Sequence, residues 1–218
     1  MLNEPDTHDL NHRKNPSPAP HLTPRSPAST EPSPAPRPIH PDTLVRAAIA
    51  LGAVMIIVAV IWVNGLRREN IWAALRLADL WLALPGMIAG TAFAVIVWRL
   101  GQRFRTTHQI VRLIEQTLDL SALRFRHVLL FSLLAALPEE MLFRGAVQTS
   151  LGLLAAAVIF GALHALTRLY FIYATGAGLL LGALYLLSGS LWLPVGAHFA
   201  IDLVMFLLLL QRQRHHPA

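Results

Sequence analysis

Two adjacent carboxylates, Glu139 and Glu140, stand in the stretch LPEEMLFRG (residues 137–145), with Arg144 four positions after the second. The chain on either side is almost wholly apolar. Between Val128 and Leu210 the other charged residues are Arg168 and Asp202, and the histidines are His164 and His198. A charge at the centre of a membrane helix costs about 2.5–3.5 kcal/mol on insertion scales, so each of these groups needs a partner, water or a task. Glu140 and Arg144 are four apart, as are His198 and Asp202, which puts each pair on one helix face. Glu140 and Arg144 neutralise each other there, and a purely structural ion pair accounts for them. Glu139 points about 100° away at 3.6 residues per turn. It is left without a partner on its own helix, and the polar groups able to meet it are His164, His198 and Asp202.

A carboxylate beside an imidazole in a partly dry cavity holds and deprotonates a water. A second imidazole on another helix donates to the oxygen that turns negative when that water attacks an amide. The set is therefore read as an acyl-transfer site with water as nucleophile. Duller readings stand beside it: His164 as a packed histidine bonded to a carbonyl, and His198 with Asp202 as one locally satisfied pair. Intramembrane Glu, His and Asp also build proton relays, so a proton-coupled transporter is the competing class, although no internal repeat of the transporter kind is visible. Two histidines and a carboxylate can also hold zinc with an open position, but no HExxH pair is present, and no metal or other cofactor is expected.

The elements that must position these residues are membrane helices. The 218-residue chain is 55% hydrophobic and 14% charged, unlike a soluble domain. It has no cysteine, which excludes disulfides, thiolate metal sites and a cysteine nucleophile. The expected fold class is all-α: a polytopic bundle of about six transmembrane helices behind a disordered, Pro-rich N-terminal tail. Residues 1–42 hold eleven of the 15 prolines, and PSPAP occurs twice. Residues 43–125 are expected to form two spans (Thr43–Val63, and about Leu80–Trp98 with a kink near Pro85) and a basic cytoplasmic loop. Between those spans, residues 64–79 suggest a short interfacial helix with Trp72 and Arg76 at headgroup depth. Residues 126–211 form the core, with spans near His127–Thr149, Leu151–Leu166, Phe171–Leu187 and Leu193–Leu210, and residues 212–218 a basic tail. Pro138 either breaks the third span or opens a new helix, with both glutamates in its first turn. The net charge of +6 is mostly arginine near helix ends, read as orientation and lipid headgroup contact, with no nucleic-acid partner. The cluster Arg99, Arg103, Arg105, Arg112, Arg124 and Arg126 places that loop, and with it both termini, in the cytoplasm; Arg67, Arg68 and Arg76 oppose this. Six full spans would separate His164 from His198 by about 30 Å. Some helices must then be short, tilted or re-entrant, and SGSLWLPVGAH (residues 188–198) suits a dipping loop.

Three motifs in order resemble the CPBP family of CAAX-protease and bacteriocin-processing membrane proteins, also called Abi. EEMLFR (Glu139–Arg144) is similar to its EExxxR motif, FGALH (Phe160–His164) to FxxxH, and HFAID (His198–Asp202) to HxxxN/D. The likeness covers about Arg126 to Leu207 and extends to the type II CAAX prenyl endopeptidases. It implies an intramembrane endopeptidase of glutamic type, working without a cofactor. Carried over, Glu139 and His164 activate the water, His198 and Asp202 form the oxyanion side, and Glu140, Arg144 and Phe160 support the site. Asp202 stands where the eukaryotic enzymes have Asn. An ionised Asp does not donate hydrogen bonds, so it suits orienting His198 better than binding an oxyanion. The expected partners are a protein or peptide substrate in or at the membrane, and the lipid bilayer. The expected location is the bacterial plasma (inner) membrane. A catalytically inactive scaffold or bacteriocin-immunity factor on the same fold is the further alternative.

Overall fold

Pro41 opens the first helix, because its ring pre-sets a helical φ and its missing N–H is one that a first turn leaves unbonded. Structure is described, from a computed structural model, for residues 38–104, 111–112, 114 and 116–215. The expected proline-rich tail up to residue 37 and the last three residues of the basic C-terminal tail lie outside these. Helix α1 runs Pro41–Val60 and continues as a π-helical turn, Ile61–Leu66. Residues 64–79 do not make one interfacial helix. Asn64 and Asn70 side chains accept from the N–H groups of Ile71 and Trp72, and the chain forms two 3-10 helices instead, Ile71–Ala74 and Leu77–Leu82. Helix α2, Ala83–Gly101, follows. Pro85 lies in its first turn, where its lack of an N–H removes no helix bond.

Helix α3 runs Phe125–Glu140, turns π-helical over Met141–Gln148 and ends with Thr149–Leu151. It passes through Pro138 without restarting, so the glutamates do not occupy a first turn. The side of α3 at Pro138 is covered by α1: a Cβ on Gly52 would stand 3.0 Å from Pro138 Cγ and 3.4 Å from the Leu134 carbonyl oxygen. Gly152, at φ 87°, makes the reversal into helix α4, Leu153–Leu163. Thr167 caps helix α5, Arg168–Ser188, its Oγ1 accepting from Tyr170 N–H. Gly189, at φ 64°, ends α5, and helix α6 starts at Trp192 and reaches His215.

Among the described residues the fold is all helical apart from one isolated bridge, Ile39 with Leu118. That bridge and the Asp42–His127 contact (3.1 Å) hold the starts of α1 and α3 at one end of the bundle. Four helical stretches are long and apolar enough to cross a membrane: Pro41–Leu66, Leu77–Gly101, Arg168–Ser188 and Trp192–Arg212. The protein is an integral membrane protein. The expected third and fourth spans are helices of another kind. α3 carries the buried charges, and α4 has 11 residues, too short for a full crossing.

That short helix removes the expected 30 Å separation. Glu139 lies just below the π-helical turn that ends at Gln148 on α3, and at 1.5 Å per residue His164 lies about 16 Å below the start of α4. His198 lies about 9 Å below the start of α6. The dip expected over residues 188–198 shrinks to buried Ser190 and Leu191, because Pro194 fits the first turn of α6 and the helix begins early. Helix α6 is held by α2 through bare backbone. A Cβ on Gly86 or Gly90 would run into the carbonyls of Leu193 or Ala197, and one on Gly196 into that of Ala83.

Candidate active site

Glu140 lies at the last α-helical position of α3 and has no solvent exposure. Its Oε1 accepts twice: from Arg144 Nη1–H at 3.0 Å and from His198 Nδ1–H at 2.7 Å. Arg144, 1% exposed, also donates from Nη2 to the Gly178 carbonyl on α5 at 3.1 Å, and its guanidinium carbon lies 5.0 Å from the centre of the Phe160 ring. A buried charge pair is tolerable when further hydrogen bonds serve it; here an imidazole, a carbonyl and an aromatic face serve part of it, while Glu140 Oε2 and Arg144 Nε make no hydrogen bond. The i,i+4 pair expected from sequence is formed. Its extension to His198 was not expected, because the sequence reading assigned the orientation of His198 to Asp202.

With Nδ1–H given to Glu140, the Nε2 of His198 is the atom left for chemistry. It lies 3.8 Å from Glu139 Oε2 and 3.6 Å from Asp202 Oδ2. His164 stands at the C-cap of α4. Its Nδ1–H donates to the Phe160 carbonyl at 2.8 Å and its ring stacks on Phe160 at 4.4 Å, which fixes the imidazole and aims Nε2 at Glu139 Oε2, 3.8 Å away. The dull expectation for His164, a bond to a carbonyl, and the functional one, proximity to Glu139, thus hold together on its two nitrogens. Phe160 organises three neighbours at once: it stacks on His164, meets His198 edge-on at 5.9 Å and packs edge-on against Phe143 at 4.9 Å.

Glu139 Oε2 is buried and makes no hydrogen bond, although it faces two imidazoles. Glu139, Glu140, Arg144, Phe160, His164, His198 and Asp202 are therefore brought together from α3, α4 and α6. Arg168, by contrast, opens α5. Among the described residues, no group of three or more His, Cys, Asp or Glu side chains is placed to hold a metal ion.

Asp202 also faces an apolar cavity of about 400 Å³ between α2, α5 and α6. Phe93, Trp98, Tyr170, Tyr173 and Met205 line it, and Asp202 is the one charged group among its described lining residues. Sequence reasoning leads to a water-filled cavity around the charged groups and missed this apolar one, its two tyrosines, and Gln148, whose buried side chain donates to the Gly182 carbonyl at 3.0 Å. Two signals for the missed packing were present: Gly86–Gly90 and Gly178–Gly182 are both GxxxG pairs.

A helical membrane protein with carboxylate and imidazole groups facing one another inside the bundle is the class that fold and site define. Residues 121–204 match the family model described as Rce1-like, type II CAAX prenyl endopeptidase Rce1-like. This is the family that the three motifs resemble, and the matched stretch contains every residue of the site. The chain is also similar to the uncharacterized protein YpbD of Bacillus subtilis (strain 168), at 48% identity over 81 residues. Those residues are 36% of this chain and 43% of that protein, so less than half of the curated relative's length is covered. No solved structure matches.

Proposed function

We propose that the protein is an intramembrane endopeptidase that hydrolyses a peptide bond of a membrane-associated protein or peptide with water activated by Glu139 and His164. The observation that carries this reading is the buried, unbonded Glu139 Oε2, 3.8 Å from the Nε2 atoms of both His164 and His198. That distance is too long for a direct hydrogen bond and suits a water donating one hydrogen to the carboxylate and the other to His164 Nε2. Glu139 takes the proton as the water attacks the carbonyl carbon, and returns it to the departing amine. His198, once protonated on both nitrogens, donates from Nε2 to the oxyanion while Glu140 holds Nδ1. Asp202, beside the same Nε2, supports that charge. The type II CAAX endopeptidase likeness supports the reaction class, and the apolar cavity beside Asp202 supports an apolar segment of the substrate next to the cleaved bond.

The location that fits is a bacterial plasma membrane with both termini cytoplasmic. The bridged starts of α1 and α3, and the arginines that follow α2, then share the inner side. The test compares the membrane proteome of a deletion strain with that of a Glu139→Gln strain. Shared uncleaved precursors are the expected result and name the substrate. Precursors that vanish in the Glu139→Gln strain as in wild type would sink the reading.

A further inference from the structure

Glu140, Arg144 and Gln148 follow one another at intervals of four residues, and the last two lie in the π-helical part of α3. In an α-helix, residues four apart overshoot a full turn by about 40°. A π-helix closes i→i+5 bonds and has a wider turn, so residues four apart fall short of a full turn instead of overshooting it. Arg144 and Gln148 both reach α5 from this segment. Opposite them, Gly178 and Gly182 on α5 are also four apart. Arg144 Nη2 donates to the first carbonyl at 3.1 Å and Gln148 Nε2 to the second at 3.0 Å. Each carbonyl has a second lone pair besides the one its own helix uses. A Cβ on Gly182 would collide with Gln148 Oε1, and one on Gly178 would press on Ala157. Gln148 is 5% exposed and its Oε1 has no hydrogen-bond partner, so the amide is held by its Nε2 bond and by contact with the bare Gly182 backbone.

We propose that Gln148 is a positioning residue for His198, acting through Arg144 and Glu140. Gln148 sets the register of α5 against the π-helical turn. That register places the Gly178 carbonyl, which holds Arg144 in the orientation that presents Nη1 to Glu140. Glu140 Oε1 in turn fixes His198 Nδ1 at 2.7 Å. Removal of the amide frees α5 to slide, turns Arg144 and loosens the bond that aims His198 Nε2. This rests on the peptidase reading of the same site, but its first readout does not need a substrate.

The experiment uses full-length protein in nanodiscs with 15N-labelled histidine, comparing wild type, Gln148→Met and Gln148→Asn. Gln148→Met keeps the length and deletes the donor; Gln148→Asn keeps the amide but draws it away from Gly182. The expected result is a changed His198 Nδ1 resonance and Nδ1–H exchange at least about tenfold faster, with the His127 signals unmoved. On the precursor found in the proteome comparison, kcat falls about 10- to 100-fold with KM unchanged. A lowered melting temperature with the His198 resonance and exchange unaltered makes Gln148 a packing clamp and overturns the proposal. If the His198 signature shifts but Glu139→Gln accumulates no precursor, the positioning stands and the peptidase reading fails. If Gln148→Met does not fold, the Gln148→Asn spectrum decides by the same criterion.

Discussion

Two carboxylates that are neighbours in sequence face different partners because about 100° of helix rotation separates them. Glu140 points to Arg144 and His198 and is fully satisfied on Oε1; Glu139 points to the gap between the two imidazoles and is bonded to neither. Glu139→Gln removes the base and little else, so cleavage is expected to fall by about 10²–10⁴-fold, the usual worth of general base catalysis, with an unchanged melting temperature. Arg144→Met is expected to behave in the opposite way. It strands Glu140 as an unpaired buried charge, and losing one partner of such a pair costs about 3–5 kcal/mol, so the variant should lose thermal stability before activity is even assayed. Paired measurements of melting temperature and precursor cleavage on the two variants separate the roles; equal stability loss in both would refute this division. If Glu139 and His164 activate the water as proposed, cleavage by the purified protein should also persist in excess chelator, and loss reversed by zinc would restore the metal alternative.

At the scale of elements, what positions the site is a set of glycines and one short helix, and legibility from sequence divides along that line. The candidate residues were legible because charges in an apolar stretch are conspicuous and spacing by four names a helix face. The Glu140–His198 bond was not, because it joins residues 58 apart and depends on how α6 turns against α3. The short α4 was not, because an apolar run reads alike whether it crosses a membrane or stops halfway. Gly152 and the cap at His164, which end it, carry weak local signals. The π-helical turn was also invisible, since nothing in Met141–Gln148 forbids an α-helix. The glycines give the sharpest contrast. Gly90 stands where a Cβ would meet the Ala197 backbone, one residue from His198, whereas a Cβ on Gly176 would meet nothing within 4 Å. Gly176→Ala is therefore expected to stabilise α5 by about 0.5–1 kcal/mol through backbone entropy. Gly90→Val must push α2 off α6, lowering melting temperature and precursor cleavage together. The pair of thermal denaturation curves checks this, and a tolerated Gly90→Val would mean that α2 does not hold α6 in place.

At the scale of the whole molecule the open question is which way the bundle faces, and the arginines disagree with one another. Arg99 and Arg103 at the end of α2, with Arg124 and Arg126 at the start of α3, argue for one end as the cytoplasmic one; Arg67, Arg68 and Arg76, at the other, argue against it. The structure softens that conflict for two of the three. Arg67 Nη2 reaches Glu69 at 2.6 Å and its Nη1 reaches the Ser150 hydroxyl at 3.2 Å, while Arg76 Nε reaches Asp79 at 3.1 Å. Arg67 and Arg76 thus pair with local acids, whereas Arg126 in the other cluster meets the His127 ring at 3.3 Å, so that cluster keeps more net positive charge and should set the orientation. The absence of cysteine makes the test clean, because any introduced thiol is the one thiol in the protein. Gly65→Cys and Gln102→Cys both replace exposed residues at opposite ends of the bundle, and neither touches the Arg67–Glu69 pair. On intact cells with the outer membrane permeabilised, a membrane-impermeant maleimide is expected to label the cysteine at position 65 at once and that at position 102 only after lysis. The reverse order would turn the protein over. The site would keep its chemistry, but Glu139 would then lie closer to the cytoplasmic ends of α3 and α6 than to the external ones, and a substrate would have to enter from the other face.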